Sequence, residues 1–347
     1  MRRANSKAST AALLGVLVAA VAIGVYLSVP YLYLATGALA PATVAASPVP
    51  KPFLFNPLGS SAGYSVVYPP RYGQLANFTL SQINKDREEA GLGPVVMSKS
   101  VSGQQHADSM LFFGYFSHWD TQGLKPYMRY SLLNGSGAVE ENVAYEATKL
   151  PAFTTVGSME DAIARLESQM MNNDSQCCDN GHRDNILDPL HNAVSLGIAY
   201  NSTRIYLVQD FENAYLTLDR PVVTGNAVTI VGNSSIPLQN LQLVVYQDPT
   251  PTNLTDSQLA APPYSGAYDS GDFVGGVVPS CIIGCETYQN GLTISANRWS
   301  VTNSSVEIEF HITRFVDIYG SGVYTVYMET NVNGRQEPVF LQSVFVT

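Results

Sequence analysis

Beyond its carboxylates, the chain has few residues that can do chemistry: five histidines and four cysteines in 347 residues. The cysteines form two close pairs, Cys177 with Cys178 and Cys281 with Cys285. That spacing does not fit a zinc ribbon. A thiolate nucleophile at Cys177 or Cys178 would need His182 as its base. In an oxidising compartment an even cysteine count reads as disulfides, with every pairing of the four left open. No His-Glu-x-x-His motif is present, and no serine stands with its own histidine and aspartate. His106 falls on an expected helix and reads as a packing or capping residue. His311 alternates outward with glutamates and reads as solvated. Asp269, Gly271 and Asp272 hint at Ca²⁺ but match no calcium-loop spacing, so they read as a flexible loop.

The elements that must position these groups follow an exported plan. Arg2, Arg3 and Lys7 precede an uncharged stretch at residues 11–35. As a helix it would be about 37 Å long, enough to cross a bilayer. Positive charge ahead of the span puts residues 1–10 in the cytoplasm and the rest outside. Ala38-Leu39-Ala40 resembles a small-residue cleavage site, so secretion after signal cleavage is the alternative to a retained signal-anchor. Residues 36–74 are rich in Pro, Ala and Ser and read as a semi-extended linker. Asn-x-Ser/Thr sequons at Asn77, Asn134, Asn173, Asn201, Asn233, Asn253 and Asn303 would be open to glycosylation outside the cell.

Composition agrees with this plan. With 18 basic and 28 acidic residues the net charge is −10, which argues against a nucleic-acid partner. Only 13% of residues are charged, while 46% are hydrophobic, so a substantial core can be buried.

From about residue 75 the pattern is mixed. Thr79 or Ser81 is expected to cap a helix ending near Ala90, and Ser98 or Ser100 to start a second. A third, about Ser158 to Met171, carries Met159, Ile163, Leu166 and Met170 as its apolar stripe. Val194 to Tyr200 and Arg204 to Phe211 alternate like a strand hairpin.

Within this stretch stand Ile83-Asn84 with Arg87; His106-Ala107 with Met110; Tyr115-Phe116-Ser117-His118 with Asp120; Glu141-Asn142-Val143-Ala144; Gly181-His182-Arg183-Asp184-Asn185-Ile186-Leu187; and Tyr206-Leu207-Val208-Gln209-Asp210-Phe211. In this order and spacing the segment resembles the CAP superfamily (cysteine-rich secretory, antigen 5 and pathogenesis-related proteins; the SCP domain), closer to its microbial branch. The resemblance covers residues 75–216. It implies an α+β fold, an α-β-α sandwich with a shallow cleft where two histidines and two glutamates face one another. By motif these are His118, Glu141 and His182. Glu167 is the choice for the second glutamate and Glu160 the alternative. Two departures stand out: Glu140 replaces the usual Gly before Glu-Asn, and a polar run from Asn172 to Asn180 replaces the usual Trp-x-x-Ser.

Such a set supports three readings. Neutral imidazoles at His118 and His182 can bind Zn²⁺ or another divalent cation, with carboxylates orienting a ring or a water. A His–Glu pair can do acid–base work near neutral pH. The same network can simply tie loops together.

At 217–347 helical signals vanish. Val222–Val231, Leu241–Tyr246, Gly291–Ala296, Ser305–Thr313, Gly322–Glu329 and Val339–Val346 read as strands of an antiparallel, immunoglobulin-like β-sandwich. The expected protein is a membrane-anchored extracellular binding module for an envelope lipid, glycan or peptide. A metal-assisted hydrolase and a structural surface or adhesion protein are the alternatives.

Overall fold

The computed structural model describes residues 68–176, 178–219, 222–280 and 287–347. The expected tail at 1–10, span at 11–35 and most of the linker lie outside them, as do Cys177, Cys281 and Cys285. Among the described residues no helix is long and apolar enough to cross a membrane. The chain is a mixed α and β structure with several sheets.

The first region runs α1 (Tyr72–Glu89), β1 (Val96–Met97), α2 (Ser102–Phe113), α3 (Pro126–Leu132), β2 (Ala138–Ala147), α4 (Val156–Asn172), α5 (Gly181–Ile186), β3 (Ala193–Tyr200) and β4 (Arg204–Asn213). Its four strands are ordered β1-β3-β4-β2. β4 is buried along nearly its whole length, because helices cover both faces of the sheet. Ile205, Leu207 and Phe211 pack with Leu75 and Ile83 of α1 and Ile163 and Leu166 of α4. Tyr206 and Val208 pack with Ala107 and Met110 of α2 on the other face. α2 lies very close to β3: a Cβ at Gly197 would sit 2.0 Å from the Gly103 carbonyl oxygen.

Helix starts differ from expectation. α1 begins seven residues before Thr79, whose hydroxyl donates within the helix to the Leu75 carbonyl at 2.9 Å. α2 begins at Ser102, where the Ser100 hydroxyl oxygen accepts the Ser102 N–H at 3.2 Å. α4 starts on a reciprocal cap between Thr155 and Ser158.

The second region runs β5 (Leu216–Leu218), β6 (Val223–Thr224), β7 (Ala227–Ser234), β8 (Gln242–Asp248), α6 (Asp256–Leu259), β9 (Asp272–Val278), β10 (Leu292–Ser295), β11 (Arg298–Val301), β12 (Ser305–His311), α7 (Thr313–Tyr319), β13 (Gly322–Val332) and β14 (Arg335–Val346). One sheet is ordered β11-β12-β7-β5, with β6 also on β7, and the other β10-β9-β8-β13-β14. All pairings are antiparallel except β10 with β9. Ile230, Ile308 and Phe310 from the first sheet meet Val245, Tyr324, Val326 and Phe340 from the second in one apolar core.

The two regions share further cores. The connection between β8 and β9 carries Leu254 and Leu259 onto Ala107, Met110 and Trp119, and the Leu254 N–H donates to the Thr121 carbonyl at 2.9 Å. Tyr127 and Met128 of α3 pack with Val323 and Leu341. Lys125, its side chain 9% exposed, places Nζ 2.7 Å from Asp248 Oδ1 and 2.5 Å from Asp269 Oδ1. The stretch expected to be a free flexible loop around Asp269 is therefore pinned to the first region at one end and continues directly into β9 at the other.

Candidate functional site

Glu141 sits in the middle of β2, fully buried. Its Oε1 accepts from His118 Nδ1 at 2.9 Å, and its Oε2 from His106 Nδ1 at 2.7 Å and Arg129 Nη2 at 2.8 Å. Burial alone would raise this carboxyl, but the positive charges of His106 and Arg129 and the imidazole hydrogen bonds outweigh it and hold Glu141 well below the usual range. It stays an anion and an acceptor. Burial and the Arg129 charge push His106 down from its ordinary value, and its Nδ1 lies against both Glu141 Oε2 at 2.7 Å and Arg129 Nη2 at 3.0 Å. His106 is thus a bonding partner of Glu141 as well as a buried ring, a correction to its expected packing or capping role. Arg129 also donates through Nη1 to the carbonyls of His118 and Leu124, at 2.9 and 2.7 Å. One guanidinium therefore fixes both the backbone that carries His118 and the carboxylate that orients its ring.

His182 is held separately. Asp174, in a short 3₁₀ turn after α4, accepts from His182 Nδ1 at 2.6 Å and from the His182 backbone N–H at 2.9 Å. Asn142, next to Glu141, donates to the His182 carbonyl at 3.0 Å and accepts from Asn185 at 2.9 Å. β2 and α5 are tied together by these amides. Cys178 is disulfide-bonded, so in the oxidised protein the compact trio Asp174, Cys178 and His182 offers no thiolate.

His118 and His182 line a single hollow of about 640 Å³. Its walls also include Phe116, Glu140, Asn142, Asn185, His191 and Asn213 from the first region and Tyr268, Asp269, Tyr327 and Pro338 from the second. The Tyr268 hydroxyl accepts the Glu141 backbone N–H at 3.0 Å, and its ring lies 5.0 Å from that of His118.

Glu167 is not in this hollow. It projects from α4 into a different one, with Gln82, Asp86 and Arg183, and accepts a 2.5 Å hydrogen bond from Gln209 Nε2. Burial pushes its carboxyl up to about 8. Expected as the second cleft glutamate, Glu167 instead packs with the buried stripe of α4 against the sheet, where Gln209 of β4 links it to Asn142 of β2, and it does not line the hollow of His118 and His182. Glu160, the alternative, bonds Gln74 on α1 at 3.3 Å. The acid beside His182 is Asp174. Its place in the polar run that replaces Trp-x-x-Ser, eight residues before His182, was the available signal. Nothing local in sequence marks Arg129, His191 or Tyr268 as neighbours of the site.

No family model matches the chain, and no curated protein matches it. Among solved structures it is similar to an outer surface protein from Borrelia burgdorferi, at 11% identity and a TM-score of 0.31, over 40% of this chain and 92% of that one. It is also similar to the CAP domain of Enterococcal PrgA, at 12% identity and a TM-score of 0.29, over 40% of this chain and 60% of that one.

Proposed function

We propose that the chain is a membrane-anchored, extracellular binding module, with a CAP-like first region and an immunoglobulin-like second region, whose hollow takes a lipid, glycan or peptide ligand of the cell envelope. The carrying observation is that His118 and His182 line one hollow while each holds its Nδ1 on a buried carboxylate. Fixing Nδ1 in this way orients the ring and leaves Nε2 as the nitrogen for a ligand or metal.

Three features support the domain reading. The six motifs of the CAP resemblance fall in one region whose sheet is covered by helices on both faces. The sheet orders of the second region match two immunoglobulin sheets, with β10 parallel to β9 as the departure. Tyr324, near the start of β13, donates its hydroxyl to the Gly320 carbonyl at 2.5 Å, as a tyrosine corner does. The leading basic residues, residues 11–35 and the proline-rich linker support the anchored, extracellular placement.

The donors proposed for a weakly held divalent cation such as Zn²⁺ are these two imidazoles, each backed by a carboxylate, with further positions left to water or ligand. His118 and His182 would hold the metal, and bound there it would polarise a ligand oxygen. The hydrolase reading is less well supported, because Glu141 has both oxygens committed to His106, His118 and Arg129 and Glu167 lies elsewhere. Neither is placed to take a proton from water.

Zinc titration of the full chain by calorimetry tests the metal part of this reading. Wild type is expected to bind, and His118→Ala and His182→Ala each to weaken binding by about tenfold or more. Equal affinity in all three removes the metal. Incubation of wild type and the double variant with a peptide library tests the rest: cleavage by wild type that the double variant lacks would replace the binding reading with the hydrolase.

A further inference from the structure

The ligand class can be narrowed from the lining of the hollow, an argument that rests on the binding reading above. Among the described lining residues there are three acids, Glu140, Asp179 and Asp269, and neither Lys nor Arg. Phosphate, sulfate and carboxylate groups are recognised by those cations. Asp269 is paired with Lys125, which is not itself a lining residue, so such a group would meet the carboxylates of Glu140 and Asp179 with no lining cation to pair it.

His191 adds a specific requirement. It is 3% exposed, and its Nδ1 lies 2.8 Å from Asn213 Oδ1. The Asn213 Nδ2 donates to the Pro338 carbonyl at 2.8 Å, so Oδ1 is the acceptor and His191 carries its proton on Nδ1. Nε2 is then a bare lone pair. It is buried with no hydrogen-bond partner in the protein, and Glu140 Oε2 lies 4.0 Å from it. Both groups line the hollow. An acyl chain laid there would leave the imidazole nitrogen unpaired, whereas an O–H or N–H from a ligand would satisfy it.

Aromatic rings complete the chemistry. Tyr268 and Tyr327 are half-buried and Phe116 is exposed along the same walls. The hydroxyl oxygen of Tyr268 accepts the Glu141 N–H, which holds its ring in place. The size of the hollow falls within the roughly 300–1,000 Å³ usual for small ligands.

We propose that the hollow binds a short uncharged or amino-bearing saccharide, with His191 Nε2 and the Glu140 carboxylate accepting its hydroxyl protons and Tyr268, supplied by the second region, packing against its ring. The site is then complete only when both regions are present.

The test is binding of the full chain to a panel of neutral, N-acetylated, amino-bearing and uronic-acid oligosaccharides. Phosphatidylglycerol vesicles and an oligolysine peptide run in parallel. Binding is expected for neutral or amino-bearing sugars and not for uronic acids. Tyr268→Ala and Glu140→Ala, each checked for an unchanged unfolding midpoint, are expected to weaken it by about tenfold, the equivalent of about 1.4 kcal/mol. The proposal is overturned by the absence of oligosaccharide binding, by a preference for uronic acids, or by binding that ignores both variants. Vesicle or peptide binding that both variants weaken would also overturn it, while leaving the binding module intact. Loss of the zinc reading would not touch these outcomes, since none of the probes contains metal.

Discussion

The two regions bury different things. In the second, Asp248, Thr325, Thr330 and Ser343 are the buried polar side chains among the described residues, and the rest of the interior is apolar. In the first, Arg87, His106, Arg129, Glu141, Glu167, Asp174, His191, Asp210 and Glu212 are all buried. Apolar burial is non-directional and stabilises in proportion to area. Buried charge is costly unless every group is paired, and pairing requires specific positions. The second region therefore reads as scaffold and the first as the part whose geometry is specified by polar contacts. Among the described residues, buried side-chain polar atoms without a hydrogen-bond partner follow the same division. Gln105 Oε1, His106 Nε2, Glu167 Oε1, His191 Nε2, Asp210 Oδ1 and Glu212 Oε1 lie in the first region, and Gln336 Oε1 is the counterpart in the second.

This contrast can be broken most sharply at Glu141. Glu141→Leu leaves Arg129 buried without its carboxylate and is expected to lower the unfolding free energy by about 3–5 kcal/mol in denaturant titration. A loss below about 1 kcal/mol would mean that the polar interior does not specify the first region. A smaller effect is expected from pH. The Glu167 carboxyl is raised by burial from 4.5 to about 8, so the native state binds its proton more tightly than the unfolded chain. The stabilisation is complete below the unfolded value and is lost as pH rises toward about 8, with a slope of at most about 1.4 kcal/mol per pH unit. Glu167→Gln is expected to flatten that slope in unfolding curves taken from about pH 5 to pH 9. A slope that survives the substitution assigns it to another group. The smallest effect belongs to the scaffold: Tyr324→Phe removes one hydroxyl donor to Gly320 and is expected to cost about 0.5–1.5 kcal/mol, read as a lower midpoint with ligand binding unchanged. A change in ligand affinity would show that the second region's core does more than support.

Elements with a clean apolar period were legible in the residues. The stripe of α4, the β3–β4 hairpin and the alternation of Val306, Ile308 and Phe310 in β12 each fall close to where the pattern puts them. β2 was not legible as a continuous strand, because Glu140, Glu141 and Asn142 break the apolar pattern at its centre. Those residues are tolerated there because Glu141 and Asn142 find partners from elsewhere in the chain. β9 carries Gly275 and Gly276 and is not among the strands expected from the residues. The structure makes it a strand because a Cβ at Gly275 would lie 1.9 Å from the Leu292 carbonyl oxygen and one at Gly276 would lie 2.4 Å from that of Leu243, so only glycine allows the neighbouring backbones to approach.

Local order by itself determined α1, α2 and α4 to within a few residues, most strands and the change toward a β pattern near residue 217, while α3, α6 and α7 were not expected, the last two lying where helical signals vanish; His118, Glu141 and His182 came from the family resemblance of their motifs. Periodicity and motif spacing are properties of neighbouring residues, so they survive in a linear reading. Only the tertiary structure decided that Asp174 rather than Glu167 orients His182, that Arg129 and His106 complete the ring around Glu141, and that Tyr268 closes the wall from 127 positions away. Those partners are selected by desolvation and hydrogen-bond geometry once the chain has closed on itself, and a buried carboxylate leaves no trace in the spacing of its eventual donors.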